Sequence, residues 1–349
     1  MATRKAATIL NPTILTTMKA AAIDRFGPPS VVRVHTLPVP TPGPQEILIA
    51  LFASGVGVWD ASVRDGSWKP YGRPRFPIVL GTDGAGVVAA KGARVRQFNI
   101  GDRVYGVNFT STKAGFYAEF TAIKVRNAAR VPKVLDLLQA GAAPVPGLTA
   151  LQGIDDALRV RKGETILIFG ASGAVGTLAI QFAKRHKARV VATASGRAAT
   201  ALVKRLGAHT VFDPRKDDAV NRLRALAPRG LDAVLALAGG PVLEQCVDLV
   251  RPNGRVAYPN GVEPEPKPRS KVRFRAYDGI VGPREFARLE RAAVEARLRV
   301  PIAEVSPLEQ AAKAHVRLQR GHILGRIVLR IRPRMALKTV RRTSITLGD

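Results

Sequence analysis

The spacing of apolar and polar positions divides the chain in two. From residue 19 to residue 130 the apolar stretches are short and often interrupted. Pro38, Pro40, Pro42, Gly43 and Pro44 break the chain before Glu46–Phe52 resumes as a strand. Gly81–Gly86 leads into Val87–Ala90, and Gly101–Tyr105 forms another turn and strand. Closely spaced strands of this kind predict a compact, barrel-like β domain.

After about residue 145 the rhythm changes. Thr165–Phe169 is a continuous apolar run, the pattern of a strand covered on both faces. A helix from Ala174 to His186, a strand from Ala188 to Thr193 and a helix from Arg197 to Leu206, ended by Gly207, follow in turn. Thr210–Phe212, Asp232–Leu237 and Arg255–Tyr258 complete the alternation. Strands alternating with helices predict a doubly wound parallel sheet, so the fold class is α/β with a separate β-barrel. The proline- and charge-rich stretch Glu263–Arg275 is expected as a surface loop. Ser306-Pro-Leu-Glu309 predicts a capping box opening a helix that Gly321 closes, and Gly325–Ile331 is the last strand.

With 349 residues, 46% of them apolar, the chain can bury two substantial cores. No apolar run is long enough to span a membrane, and residues 1–17 carry Arg4 and Lys5 without the features of a secretory leader. The single cysteine, Cys246, excludes an internal disulfide and a cysteine-rich zinc site, which points to a reducing, cytoplasmic setting. The formal charge is +29; residues 1–17 contribute +2 and residues 333–349 contribute +3, so +24 remains on the body. Such a field attracts anions, nucleic acid among them. No basic run interleaved with aromatics supports sequence-specific reading, so any nucleic-acid contact is expected to be non-specific.

The strongest chemical signal is Gly170-Ala171-Ser172-Gly173-Ala174-Val175-Gly176, set between a buried strand and a helix. A dinucleotide pyrophosphate needs a tight turn, close backbone approach and the positive end of a helix. Gly173 permits the approach and Gly176 lets the helix pack on the strand. Ala171 stands where the first glycine of the three-glycine pattern usually lies. At the end of the second strand, Ala192–Arg197 holds no carboxylate; Ser195 can hydrogen-bond a ribose 2′-phosphate and Arg197 can pair with it. NADPH is therefore the expected cofactor.

With these residues in hand, the chain resembles the zinc-independent quinone oxidoreductases of the medium-chain dehydrogenase/reductase superfamily. The likeness runs from about Met18 to Arg332 and includes Gly81–Val88, Gly101–Gly106, Ala140–Ala150 and His322–Leu329. It implies a GroES-like catalytic barrel from residues 18–144 and 286–332, a Rossmann cofactor domain from 145–285, an extension at 1–17 and a basic tail at 333–349. It further implies Thr149 near the nicotinamide, Ala238 and Gly239 beside its ribose, Arg326 at the cofactor or substrate mouth, and a homodimer. Zinc-dependent relatives use a cysteine and a Gly-His-Glu where this chain has Gly57 and Gly81-Thr82-Asp83, so no metal is expected. A short-chain dehydrogenase is excluded by the absence of any Tyr-x-x-x-Lys and by the mid-chain glycine turn.

The resemblance implies hydride transfer to a quinone or an enone, with the proton coming from water or a nearby hydroxyl. The family commonly shows Asn where Gly57 stands. Asp60 either orients a water or caps a turn. Related enoyl-thioester reductases place a tyrosine donor shortly after the Gly66 position, where Trp68 and Tyr71 compete; Tyr71 is the candidate. Two alternatives stand beside this reading. One is an enoyl-thioester reductase, whose acidic carrier would suit the positive field. The other is a binder of nucleic acid or acidic partners on the same fold.

Overall fold

A computed structural model describes residues 11–14, 16–68, 74–109, 115–216, 218–331 and 335–338. Its second half is a six-stranded sheet of β1 (Thr165–Phe169), β2 (Arg189–Thr193), β3 (Thr210–Phe212), β4 (Leu231–Ala236), β5 (Val250–Pro259) and β6 (Arg273–Tyr277). All neighbours are parallel, in the order β3-β2-β1-β4-β5-β6. The chain winds outward through β3, then returns to the other side of β1. That reversal places a crevice at the carboxyl ends of β1 and β4. β1 shows why the run is apolar throughout: Ile166 and Ile168 enter one core, while Leu167 and Phe169 enter the core on the opposite face. Each such side chain contributes about 1.5–3 kcal/mol on burial.

The barrel unit combines a seven-stranded and a three-stranded sheet. Glu46–Val56 is its long central strand, pairing antiparallel with Asp83–Lys91, Phe120–Lys124 and Arg326–Arg330. The last of these brings the end of the chain back into the barrel, where Ile327 and Leu329 join Ile47, Ile49, Leu51 and Phe116 in one core. The GroES-like barrel and the parallel nucleotide-type sheet expected from the sequence are both present.

Several local expectations are corrected. The stretch expected as a loop to Arg275 contains the start of β6, an edge strand whose Arg273 and Arg275 are exposed while Phe274 packs on the core. Ser306 caps no helix: Ile302–Pro307 is a strand, Ser306 Oγ donates to Glu304 Oε1 (3.1 Å), and the α-helix starts at Ala311. The helix Pro283–Ala296 runs unbroken through the boundary expected at residue 285, packing on the helices at Pro144–Gln152 and Ala174–Arg185 while Phe286 meets Tyr105 of the barrel edge to face. Asn11–Ile14 and Met335–Lys338, expected as parts of two separate extensions, pair as an antiparallel ribbon.

Candidate active site

The glycine turn is made as its spacing requires. Gly170 leaves β1 with φ 82°, and Gly173 precedes the helix Ala174–Arg185, whose N-terminus has no side-chain cap. A side chain at Gly176 would put its Cβ 2.5 Å from the Gly170 carbonyl oxygen, so only glycine lets the helix lie this close to the strand. At Gly173 the nearest atom to such a Cβ is 3.6 Å away, which leaves room for a ligand at the backbone. An open, uncapped helix mouth of this kind fits a dinucleotide pyrophosphate. The sequence reading missed two supports of this turn. Thr193 Oγ1 accepts a hydrogen bond from Gly170 N–H (2.8 Å), and Ser172 C=O accepts one from Gly325 N–H (2.9 Å), which ties the turn to the barrel's returning strand. Ala171 is buried, Ser172, Ala174 and Val175 are partly exposed, and Ala238 and Gly239 follow β4 on the same sheet edge.

At the end of β2, Arg197 is exposed at the first position of the helix Arg197–Leu206. Ser195 is already engaged: its hydroxyl donates to Asp213 Oδ1 at 2.5 Å. Burial pushes the Asp213 carboxyl up, but hydrogen bonds from Ser195 and from the Arg215 amide and guanidinium outweigh it and bring it to about 2. The expectation of a carboxylate-free site is therefore corrected. The local segment has none, yet neighbouring β3 delivers one.

The barrel contributes a buried charged cluster. Asp60 and Asp83 are fully buried and Arg326 is 4% exposed. Arg326 Nη2 donates to Asp83 Oδ1 (2.6 Å), and Val145 N–H donates to Asp83 Oδ2 (2.8 Å). Asp60 Oδ2 accepts from Gly57 N–H (2.8 Å) and from the Tyr117 hydroxyl (3.1 Å). Burial pushes both carboxyls up, Asp83 to about 6, against the pull of the Arg326 guanidinium. The Arg326 guanidinium lies over Gly55 and Gly57. One site expectation is corrected here. Asp60 is sealed from the cleft and caps the helix Val58–Asp65, so it cannot touch a substrate.

Thr149 does line an open site. A cavity of about 230 Å³ is walled by Trp59, Trp68 and Phe109 from the barrel and by Val145, Leu148 and Thr149 from the helix Pro144–Gln152. Asp278, Gly279 and Val281 also line it. The rings meet edge to face, Trp59 with Trp68 at 6.0 Å and with Phe109 at 6.4 Å between centroids. Asp83, through Val145, fixes the start of this helix against the barrel. Phe109 and Asp278 carried no sequence signal. Tyr71 lies outside the described residues.

The chemistry of the side chains does not fit a zinc ion. At the position of the metal ligands, Gly57 and Thr82 offer no nitrogen or sulfur, and both oxygens of Asp83 are taken by Arg326 and Val145. Cys246 is buried in the nucleotide-side core, which pushes its thiol up to about 12. Among the described residues, no group of three His, Cys, Asp or Glu could hold a metal, and no helix is long and apolar enough to cross a membrane.

Comparison with known proteins agrees with this architecture. The model of the alcohol dehydrogenase GroES-like domain matches residues 43–133, and that of zinc-binding dehydrogenases matches residues 174–274. The quinone oxidoreductase of Lama guanicoe is 31% identical over 325 residues, covering 89% of this chain and 97% of its own. A solved NAD-dependent alcohol dehydrogenase is 31% identical, with a TM-score of 0.82 over 90% of this chain and 100% of that one. A mycobacterial protein complexed with NADPH is 28% identical, with a TM-score of 0.78 over the same shares. The chain belongs to the medium-chain dehydrogenase/reductase superfamily of oxidoreductases, as a quinone oxidoreductase-like member.

Proposed function

We propose that this protein is a zinc-free, NADPH-dependent reductase of quinones or enones. The observation that carries the reading is the aromatic-walled cavity beside Thr149, opening where the barrel meets the nucleotide-type sheet. Clefts of this kind, apolar with few polar groups, are where small-molecule acceptors lie. The NADPH-complexed relative and the quinone oxidoreductase relative support the cofactor and the acceptor respectively.

In the bound state, reduced nicotinamide dinucleotide supplies the hydride. The acceptor gains that hydride and one proton from water, and a quinone becomes its hydroquinone or an enone its saturated ketone. The chain's own contribution is placement. The amides at Gly173–Gly176 hold the diphosphate, and Arg197 faces the 2′-phosphate. Trp59, Trp68 and Phe109 orient a flat acceptor and keep bulk water away from it. Without a metal to stabilise an alkoxide, acceptors whose charge spreads over a conjugated system are favoured over simple aldehydes.

The test follows NADPH oxidation with 1,4-benzoquinone, an enone and an enoyl-thioester as acceptors. Turnover is expected with the quinone or the enone and at most weakly with the thioester. A protein that turns over only the thioester, or that oxidises NADPH with none of the three, overturns the reading.

A further inference from the structure

Within a chain carrying 55 Lys and Arg residues, the described residues that line the acceptor cavity include no basic side chain and one acidic one, Asp278. Among the described residues, Asp278 has no ion-pair or side-chain hydrogen-bond partner. Its position is nevertheless built. On one side Tyr277 is buried, and its hydroxyl donates to Thr149 C=O (3.0 Å). On the other side the amide and carbonyl of Ile280 both bond the Gln152 side chain, at 3.0 and 2.9 Å, and Gln152 is itself buried. Three hydrogen bonds thus clamp the Tyr277–Ile280 segment to the helix that carries Thr149. Asp278 lines the same cavity as the Trp59, Trp68 and Phe109 rings.

We propose that Asp278 and the aromatic wall select acceptors by charge, admitting neutral and cationic planar ring ketones and rejecting anionic ones. This deepens the reductase reading and rests on it. Ring faces attract a positive group and gain nothing from a negative one, and the carboxylate acts in the same direction. The overall +29 charge pulls the other way, drawing anions toward the molecule. Range decides between them. At physiological salt, charges beyond about 8 Å are screened, whereas a carboxylate lining the cavity meets the ligand well inside that distance. The surface field speeds the arrival of anions, and the cavity refuses them.

The experiment compares three 1,4-naphthoquinones at 0.15 M salt: unsubstituted, sulfonate-bearing and trimethylammonium-bearing. With NADPH, the sulfonate is expected to show at least tenfold lower kcat/KM than the neutral quinone, and the cationic one an equal or higher value. Asp278→Asn should bring the three within about threefold of one another, and Asp278→Lys should reverse their order. Equal kcat/KM values on the natural protein, or an unchanged ratio in both variants, overturns the proposal. A second readout separates it from the reductase reading. The chain's two tryptophans, Trp59 and Trp68, both line this cavity, so saturable quenching of their fluorescence reports binding without turnover. Selective quenching by the neutral and cationic quinones with no NADPH oxidation would uphold charge selection and sink the reductase reading. Equal affinities for all three quinones would sink charge selection even where turnover is seen.

Discussion

The glycine turn at Gly170–Gly176 and the cluster of Asp60, Asp83, Tyr117 and Arg326 are made of different material. The turn offers backbone amides at a helix mouth, and its side chains matter chiefly by being absent. The cluster consists of side chains that arrive from four separate stretches of chain and bury two carboxyls against one guanidinium. The turn is poised for a ligand. The cluster pairs its charges among its own members, although Asp60 Oδ1 and Arg326 Nε are buried without a hydrogen-bond partner among the described residues, and it orders the helix that lines the cavity through Val145 N–H. One region therefore binds, and the other holds the binding helix in place.

Breaking the cluster should produce the largest effect. Arg326→Leu leaves Asp83 and Asp60 buried without their cation, and removing one partner of a buried pair costs about 3–5 kcal/mol. The denaturant midpoint should fall accordingly with its slope unchanged. A loss below about 1 kcal/mol would show that the two carboxyls are content as neutral acids. In the turn, the expected loss is of affinity. Gly176→Ala forces its new methyl against the Gly170 carbonyl and Ala171 backbone. NADPH affinity should drop about a hundredfold, roughly 2.7 kcal/mol, in a calorimetric titration. Unchanged affinity would mean that the diphosphate lies elsewhere.

The same contrast explains what could be read from the sequence. The glycines that shape the turn lie within seven consecutive residues between a strand and a helix, so local spacing announces them, whereas its supports from Thr193 and Gly325 come from distant positions and are not announced. Asp83 and Arg326 are 243 residues apart, and nothing local says that they meet. The family resemblance implies Arg326 at the cofactor or substrate mouth, and no local pattern announces that its guanidinium is buried. It turns inward because Gly55 and Gly57 clear a path for the guanidinium, a property of the neighbouring strand alone. β6 escaped notice for a related reason: Arg273 and Arg275 mask the apolar signal of an edge strand whose Phe274 and Tyr277 pack inward. Asp213 stood in plain view, but its place beside Ser195 depends on β3 lying next to β2.

A smaller effect should mark the outer edge of the barrel cluster. His315 is fully buried, with Nδ1 3.1 Å from Arg64 Nη1, and burial followed by the Arg64 charge lowers it to about 4. The folded imidazole is thus neutral where the unfolded one, near 6.5, is charged. Its contribution to stability is present above pH 6.5 and lost as pH falls toward 4. Between pH 7 and pH 5 this amounts to about 2 kcal/mol. Asp83 runs oppositely: raised to about 6, it loses stability as pH rises from about 4 to 6 and partly masks the histidine. Comparing the natural protein with His315→Gln separates them, since only the histidine component disappears. Parallel stability curves for the two proteins would contradict the buried, neutral imidazole.

The finest distinction lies at the end of β2, where the two kinds of construction meet, because a side-chain pair there modifies a backbone-made site. On the NADPH reading, Arg197 attracts the 2′-phosphate, while ionised Asp213 repels it and occupies the Ser195 hydroxyl. Arg197→Glu should weaken NADPH binding about tenfold and leave NADH within twofold, and equal loss of both would contradict the assignment. Asp213→Asn should act in the other direction and more gently. It removes one charge at a solvent-exposed edge, where screening limits single interactions to about 1 kcal/mol or less, so NADPH should gain roughly threefold and NADH almost nothing. If Asp213→Asn instead weakens both dinucleotides alike, its carboxylate serves to hold Ser195 and Arg215 in place. The preference for the extra phosphate would then rest on Arg197 alone.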